Sequence, residues 1–568
     1  MSKNIVIIGG SAAGITAGIT ARRHYPEADI TLIRKEEQVL IPCGIPYIFG
    51  TVGVPQKNLI PDTILEANGI KLILSEAQSI NREQKTVVTS SHGEIPYDKL
   101  ILAMGSLPMK LPIEGLEKDG VYTIVKDVGY LEELSDKLNH AKDLVIIGGG
   151  FIGVEFADEC KKKSDDTNVT IVELLPHCLL LACDEEFCSE AENRLVDRGV
   201  SILPNERAAA IVGDEKVEAV RLANGKTIKA DVVILGVGVV PNTQLAIDAG
   251  LKLGPTKSIH VDQYMRTSDK NIFACGDCCE KCSFFDKQPS RLRLASVAST
   301  EARIAGTNLF DLKRKNDGSI GVFATVVNGL TIGTAGLTES AAQNMGYETV
   351  TEFVSGPDRH PGGMPDMSIL NVKLVFDKKT GRILGGQVWG GNSGCEILNA
   401  IAAQITAGMK AEDIACFQIG THPALTASPI AYHLVNAAEK AMSLIETPSI
   451  LIVEDDRDFV DALTAVLSNQ SYAIEIAHTR EKAMEKVAEK KPNLILLDIM
   501  LDHVDDGFTI CRELKADPDY WDIPIIAMSA ISRDAGIDPG IGDHFKVNDF
   551  MAKPVKAREL MEKIEQYI

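Results

Sequence analysis

The chain has 568 residues, 45% of them hydrophobic, with 58 basic side chains against 79 acidic ones and a net charge of −21. That length predicts three to five domains with enough apolar content for packed cores, which excludes a disordered or fibrous chain. The negative surplus repels polyanions, so neither a nucleic-acid backbone nor an acidic membrane surface is expected as a partner.

In chain order, Asn4–Gly10 reads as an apolar strand entering a glycine turn, Gly9-Gly10-Ser11-Ala12-Ala13-Gly14, and then a helix. Only Met1-Ser2-Lys3 precedes it, without a signal-cleavage site, and no apolar run reaches the roughly 18 residues of a membrane span, so the expected location is the cytoplasm. Ser11 stands where a G-x-G-x-x-G loop has its middle glycine, and the following strand, Asp29–Ile33, ends in Arg34-Lys35-Glu36-Glu37 rather than at once in a carboxylate. By itself this loop is a weak dinucleotide signal.

Next, Ile41-Pro42-Cys43-Gly44-Ile45-Pro46-Tyr47 sets one cysteine between turn residues and an apolar pattern that predicts the opening of a helix. A thiol at a helix N-terminus is drawn towards thiolate, the attacking form. The following cysteine is Cys160, so an internal disulfide from a neighbouring pair is excluded. The twelve cysteines, irregularly spaced in a reducing compartment, read as core thiols plus a few reactive ones.

The second glycine loop is cleaner. Leu144–Ile147 feeds Gly148-Gly149-Gly150-Phe151-Ile152-Gly153, in which Gly148 makes the turn, Gly150 lets backbone approach a pyrophosphate, and Gly153 lets helix and strand close up. Its second strand, Val169–Glu173, ends in a carboxylate placed to hold a ribose diol and to repel a 2′-phosphate, which favours NADH over NADPH. Short strands with turns from about 321 to 391, then helical patterns at 396–407 and 431–444, predict a separate α+β domain. Cys178, Cys183 and Cys188 read as structural; Cys275–Cys282 holds two C-x-x-C spacings but has no distant pair to complete a tetrahedral set, so no metal is expected there.

Two further segments, Leu102-Ala103-Met104-Gly105-Ser106 and Asn271-Ile272-Phe273-Ala274-Cys275-Gly276-Asp277, flank the second loop. With them, residues 3 to 445 resemble the flavin-dependent pyridine nucleotide–disulfide oxidoreductases. The resemblance implies that Gly9, Ser11, Gly14, Gly105 and Asp277 bind FAD, and that Gly148, Gly150, Gly153 and Glu173 bind NADH. It implies an FAD-binding domain at 1–115 and 245–319, an NAD-binding domain at 116–244, and an interface domain at 320–446 that forms a homodimer.

With Cys43 alone, the chain is similar to the single-cysteine branch, which contains coenzyme A disulfide reductases, persulfide reductases, and NADH oxidases and peroxidases. Those enzymes cycle through a mixed disulfide, persulfide or sulfenate on one thiol. Ala12 stands where the oxidases and peroxidases carry a histidine; His360 stands where coenzyme A disulfide reductases carry a tyrosine, and Pro42 where asparagine is common before the thiol. Thr421-His422-Pro423 resembles the His-Pro segment of two-cysteine relatives, whose histidine protonates thiols across the dimer, although Ala427 replaces its orienting carboxylate. The resemblance therefore implies Cys43 and His422 as catalytic residues, and a small disulfide or persulfide as substrate: coenzyme A disulfide, coenzyme A persulfide or polysulfide.

After the break Glu446-Thr447-Pro448, residues 448–568 repeat strand and helix about five times and carry −10 of the net charge. Strand ends here deliver Glu454, Asp455 and Asp456, then Asp498, Ser529 and Lys553, and in an open parallel sheet such ends converge on one edge. Clustered carboxylates hold Mg²⁺, while a hydroxyl and an ammonium stabilise a transferred phosphoryl group. This segment resembles the response-regulator receiver domain. The resemblance implies Asp498 as phosphoacceptor, Glu454 and Asp455 with Asp498 as the Mg²⁺ site, Ser529 as switch hydroxyl, Lys553 as phosphate partner, and a sensor histidine kinase as donor.

The expected fold is α/β: two Rossmann-like FAD/NAD-binding domains, an α+β dimerisation domain, and a C-terminal flavodoxin-like (βα)5 receiver. The expected function is an NADH-dependent, FAD-containing reductase of small disulfides or persulfides with a phosphorylatable receiver. The alternatives are a redox sensor whose flavin half modulates receiver output, and an NADH oxidase.

Overall fold

Isoleucine- and valine-rich strands such as Asn4–Ile8 and Val232–Leu235 are buried along nearly their whole length, as parallel sheets covered on both faces require. The structure is a computed structural model that describes residues 3–361, 363–391, 393–445, 448–467, 472–501, 506–529 and 547–568. In the first sheet the order is Ile272–Ala274, Lys99–Leu102, Asn4–Ile8, Asp29–Arg34, Lys71–Leu74, all parallel. The strand Ile272–Ala274 joins this sheet after the chain has completed a second one, so the second unit is an insertion into the first. That second sheet runs Val121–Thr123, Val232–Leu235, Asp143–Ile147, Asn168–Val172, Val200–Leu203, again parallel.

The third sheet is antiparallel, in the order Val322–Val327, Leu330–Gly336, Ile383–Trp389, Ile369–Asp377, Thr349–Pro357. Helices Gly394–Ala407 and His433–Met442 bury their apolar faces against it through Leu398, Ile401, Leu434 and Ala438. Towards the NAD unit, the Phe187 and Trp389 rings meet edge to face at 4.6 Å, and Lys373 Nζ lies 3.1 Å from Asp184 and 2.7 Å from Glu186.

The C-terminal sheet is parallel, in the order Ala473–Ala477, Ser449–Val453, Leu494–Asp498, Ile525–Ser529, Asp549–Ala552. It meets the interface domain at Tyr472, whose ring centroid lies 5.8 Å from Lys410 Nζ. No described helix is long and apolar enough to cross a membrane. The α/β architecture is the expected one; Glu446 and Thr447 of the expected break lie outside the described residues.

One element differs from expectation. The predicted helix opening at Cys43 is a 3₁₀ turn, Pro42–Gly44, followed by a second, Pro46–Phe49. Pro46 lacks the N–H that would close an i→i−4 bond onto the Pro42 carbonyl, and the segment takes the tighter i→i−3 form, the Ile45 N–H donating to that carbonyl at 3.3 Å.

Candidate active site

Cys43 is exposed, on a turn anchored by its own apolar neighbours: Leu40, Ile45, Ile48 and Phe49 share one core with Tyr122, Leu131 and Phe156 of the inserted unit. Because the turn is one 3₁₀ step, it offers no macrodipole, and the expected drift towards thiolate does not occur. The thiol is instead pushed up, first by the walls that partly bury it and then by the negative charge of Glu155, with Lys126 pulling the other way. Asp277 is also close enough for its charge to act on Cys43, so the turn and the segment expected to close the flavin site converge.

Glu155 is the residue that sequence reasoning missed. It lies on the helix Phe151–Lys163 that opens at the second glycine loop, and Thr325 of the interface domain donates to its carboxylate at 2.8 Å. Burial pushes its carboxyl up to about 7, and Glu159, one turn along, adds to the rise. Glu159 accepts from the Thr51 N–H at 2.6 Å and its hydroxyl at 2.9 Å, which clamps the segment that follows Cys43. Two carboxylates four residues apart on a helix otherwise facing a core were the available signal. Glu155 also raises the Tyr47 phenol, pushed up to about 12 chiefly by burial. The site is thus built from three domains: Cys43 and Tyr47, Glu155, and Thr325.

Both glycine loops have the shape of a dinucleotide cradle. A Cβ on Gly153 would lie 1.9 Å from the Gly148 carbonyl oxygen, whereas one on Gly150 would meet no protein atom within 4 Å. Helix and strand therefore touch at the first position and leave room at the second, as a pyrophosphate on a helix N-terminus requires. The first loop repeats the pattern, with a Cβ on Gly14 falling 1.8 Å from the Gly9 carbonyl oxygen and Gly105 bordering open space. Ser11 caps the helix Ala12–His24 without a side-chain capping bond, and Asp277 accepts from Ser106 Oγ at 2.8 Å.

The strand ends differ. Glu173 is buried and accepts from the N–H groups of Gly149 and Leu175 at 2.5 and 2.7 Å. In the first unit the corresponding place beside Gly10 is filled by Arg34, bound to both oxygens of Asp62 at 2.6 and 2.8 Å. The residues present fit FAD in the first unit and a nicotinamide dinucleotide in the second.

His422 is not joined to Cys43 within one chain. It sits exposed on the interface domain, its Nδ1 accepting from the Ala424 N–H at 3.2 Å. The neighbouring loop comes to it, since the His360 N–H donates to the Pro423 carbonyl at 3.1 Å. Cys178, Cys183 and Cys188 are buried, as are Cys275, Cys278 and Cys279. Next to the latter group Lys281 and Glu301 form a buried ion pair at 2.9 Å.

In the C-terminal domain, Lys553 Nζ lies 2.6 Å from Asp498 and 2.8 Å from Glu454. Burial pushes the Glu454 carboxyl up, with the Asp498 charge adding and Lys553 opposing. One oxygen each from Glu454, Asp455 and Asp498 fall within 4.8 Å of one another, and among the described residues this is the one cluster with the donors for a cation. The oxygen set suits Mg²⁺. Ser529, buried, ends the adjacent strand.

Fold and site together define a reductase with two dinucleotide cradles, an interface domain and an appended receiver. The chain belongs to the pyridine nucleotide-disulphide oxidoreductase family, an FAD- and NAD(P)H-dependent class of enzymes, whose model matches residues 3–302. The dimerisation domain of that family matches 322–430, and the response regulator receiver domain matches 450–565. The chain is similar to a CoA-dependent NAD(P)H sulfur oxidoreductase of Pyrococcus furiosus, at 33% identity over 72% of this chain and 93% of that one. It is also similar to an NADH oxidase of Methanocaldococcus jannaschii, at 30% identity over 72% of this chain and 92% of the relative. Among solved structures, an NAD-dependent persulfide reductase from A. fulgidus superposes with a TM-score of 0.72 at 27% identity, covering 97% of this chain and 98% of that one.

Proposed function

We propose that this enzyme is an NADH-dependent reductase of small disulfides or persulfides that works through Cys43 as its single redox thiol. The observation that carries the reading is one exposed thiol held between the flavin-site aspartate and a carboxyl that titrates near neutrality. The similar Pyrococcus and A. fulgidus enzymes, named for sulfur and persulfide reduction, support it. The net reaction is RSSR′ + NADH + H⁺ → RSH + R′SH + NAD⁺, or for a persulfide RSSH + NADH + H⁺ → RSH + H₂S + NAD⁺.

FAD, when bound, supplies a two-electron carrier between nicotinamide and sulfur. Gly148, Gly150 and Gly153 seat the NADH pyrophosphate and Glu173 its ribose, where a 2′-phosphate would meet a carboxylate. The Cys43 sulfur attacks the substrate S–S bond, forming Cys43–S–S–R and releasing R′S⁻. An incoming electron pair then breaks that bond, restoring the Cys43 thiolate and releasing RS⁻. Protons for the leaving thiolates come from Glu155 on the Cys43 side and from His422, supplied across a homodimer by the exposed loop of a second copy.

The receiver takes a phosphoryl group from a sensor histidine kinase onto Asp498, with Mg²⁺ held by Glu454, Asp455 and Asp498 and charge relief from Lys553 and Ser529. Steady-state NADH oxidation against coenzyme A, glutathione and sulfane-sulfur compounds tests the reading. Turnover of at least one that disappears in Cys43→Ser is expected; equal turnover in the variant overturns it. The Methanocaldococcus relative favours one alternative, an NADH oxidase, and rapid oxygen consumption without added disulfide would select it.

A further inference from the structure

The cysteine-rich segment Cys275–Cys282 is wound around a buried ion pair that lies apart from the reactive thiol. Lys281 and Glu301 have side chains only 2% and 1% exposed, with Nζ 2.9 Å from Oε2, and Glu301 belongs to the helix Ala295–Thr307. The Lys281 ammonium donates to the Gly276 carbonyl at 2.5 Å, to the Cys279 carbonyl at 3.0 Å and to Glu301, with the Cys279 sulfur at 3.3 Å. Glu301 Oε2 in turn accepts from the Gly276 N–H at 2.9 Å and from the Cys279 thiol at 3.4 Å. Both backbone groups of Gly276 are thus held, one by each half of the pair.

Such a pair is a poor source of stability. Taking an ammonium and a carboxylate out of water is offset only by full satisfaction of their hydrogen bonds, yet every bond to Glu301 falls on Oε2, and Oε1 is buried without a partner among the described residues. What the pair does fix is the course of the backbone. Gly276 has φ +76°, and a Cβ there would lie 3.0 Å from Ala13 of the first glycine loop and 3.6 Å from Ala298 on the helix of Glu301. The next residue is Asp277, whose carboxylate accepts from Ser106 Oγ at 2.8 Å and whose carbonyl faces Arg293 Nε at 3.4 Å. With Gly276 clamped at its N–H and its carbonyl and wedged between two helices, Asp277 leaves the turn in one direction.

We propose that Lys281 and Glu301 are positioning residues for FAD, which act by aiming the Asp277 carboxylate and are themselves closed off from the cofactor. This inference rests on the reading that Asp277 belongs to the flavin site. A ligand group held in place before binding lowers the ordering cost of the complex, so losing the clamp shows first in the rate at which the ligand leaves.

The holoenzyme tests this through its flavin, without any turnover. Lys281→Met with Glu301→Gln removes both charges together, so neither is left buried alone. FAD release on dilution, followed by flavin fluorescence, is expected to be about tenfold faster in this double variant, with a changed visible circular dichroism of the bound flavin. Amide hydrogen exchange in the strand Asn4–Ile8 is expected to stay at the wild-type level. Wild-type release overturns the proposal, and so does faster release accompanied by faster exchange in that strand, because the pair would then be holding the core. Should the double variant not fold, Lys281→Met takes its place with the same expectations, since Glu301 can neutralise itself by binding a proton.

A mutant cycle with Asp277→Asn identifies the route. Asp277→Asn alone is expected to speed FAD release, and combining it with the pair variant to add little beyond the larger of the two effects. Effects that multiply overturn the proposal, because the pair would then reach the flavin by a path other than Asp277. Faster release in Asp277→Asn with wild-type release in the pair variant removes the positioning role alone. Wild-type release in Asp277→Asn removes the flavin-site reading of that residue, and the proposal with it.

Discussion

Cys43 and Glu155 define the chemistry available at the smallest scale. A thiol pushed up by its walls needs help to ionise, and the half-buried carboxyl of Glu155, pushed up to about 7, is the group whose charge acts on it most. Cys43→Ser is expected to lower NADH-dependent disulfide turnover by more than a hundredfold while NADH still bleaches bound flavin, measured by stopped-flow absorbance; retention of both activities would remove the thiol from the mechanism.

Glu155→Gln is expected to abolish an inflection near pH 7 in kcat. The sign for stability follows from the same shift. A carboxyl raised from 4.5 to about 7 binds its proton more tightly in the fold, so its contribution is fully present below about pH 4.5 and is lost as pH rises through 7. At about 1.4 kcal/mol per pH unit the loss is on the order of 3 kcal/mol. Wild type should therefore lose more Tm than Glu155→Gln between pH 5 and pH 8, and a parallel fall would count against the assignment.

At the scale of elements, the helix–strand junction at the second glycine loop separates packing from binding. Gly153 and Gly148 are in contact, so Gly153→Val must force strand and helix apart and is expected to lower both Tm and NADH affinity. Gly150 faces open space, so Gly150→Ala is expected to leave Tm within about 1 °C while raising the KM for NADH at least tenfold. Equal effects of the two variants on Tm would contradict this division. The strand ends were unequal signals: Val169–Glu173 carries its carboxylate in the sequence, whereas the partner of Arg34 is Asp62, 28 residues on, which no local pattern announces. Likewise Pro42 and Pro46 stand in plain view, yet an apolar period suggests a helix there, and it is the N–H missing at Pro46, four residues after Pro42, that decides for 3₁₀ turns.

For the molecule as a whole, the position of the receiver matters most. Tyr472, just before the strand Ala473–Ala477, makes contact with the interface domain, while Asp498 stands at the end of Leu494–Asp498, the next parallel strand but one. Strand starts and strand ends lie on opposite edges, about 16 Å apart for five residues. The phosphoacceptor edge therefore points away from this contact. Beryllofluoride with Mg²⁺ is expected to change sedimentation or partner binding in wild type and to leave Asp498→Ala unchanged; identical behaviour of the two proteins would show the receiver to be silent.

The strands of the four five-stranded sheets, the two glycine turns, the cysteine set between Pro42 and Gly44 and the acidic strand ends are local features, set by periodicity, missing side chains and residue type, and so were present in the chain before any folding. What the tertiary structure decided are juxtapositions: Glu155 and Thr325 brought from two other domains to Cys43, Arg34 standing where Glu173 stands in the twin unit, and His422 kept on a separate surface. The physical reason is range. Backbone preference acts over a few residues, whereas burial and charge act between groups a hundred or more positions apart, and their outcome is fixed only when the cores close.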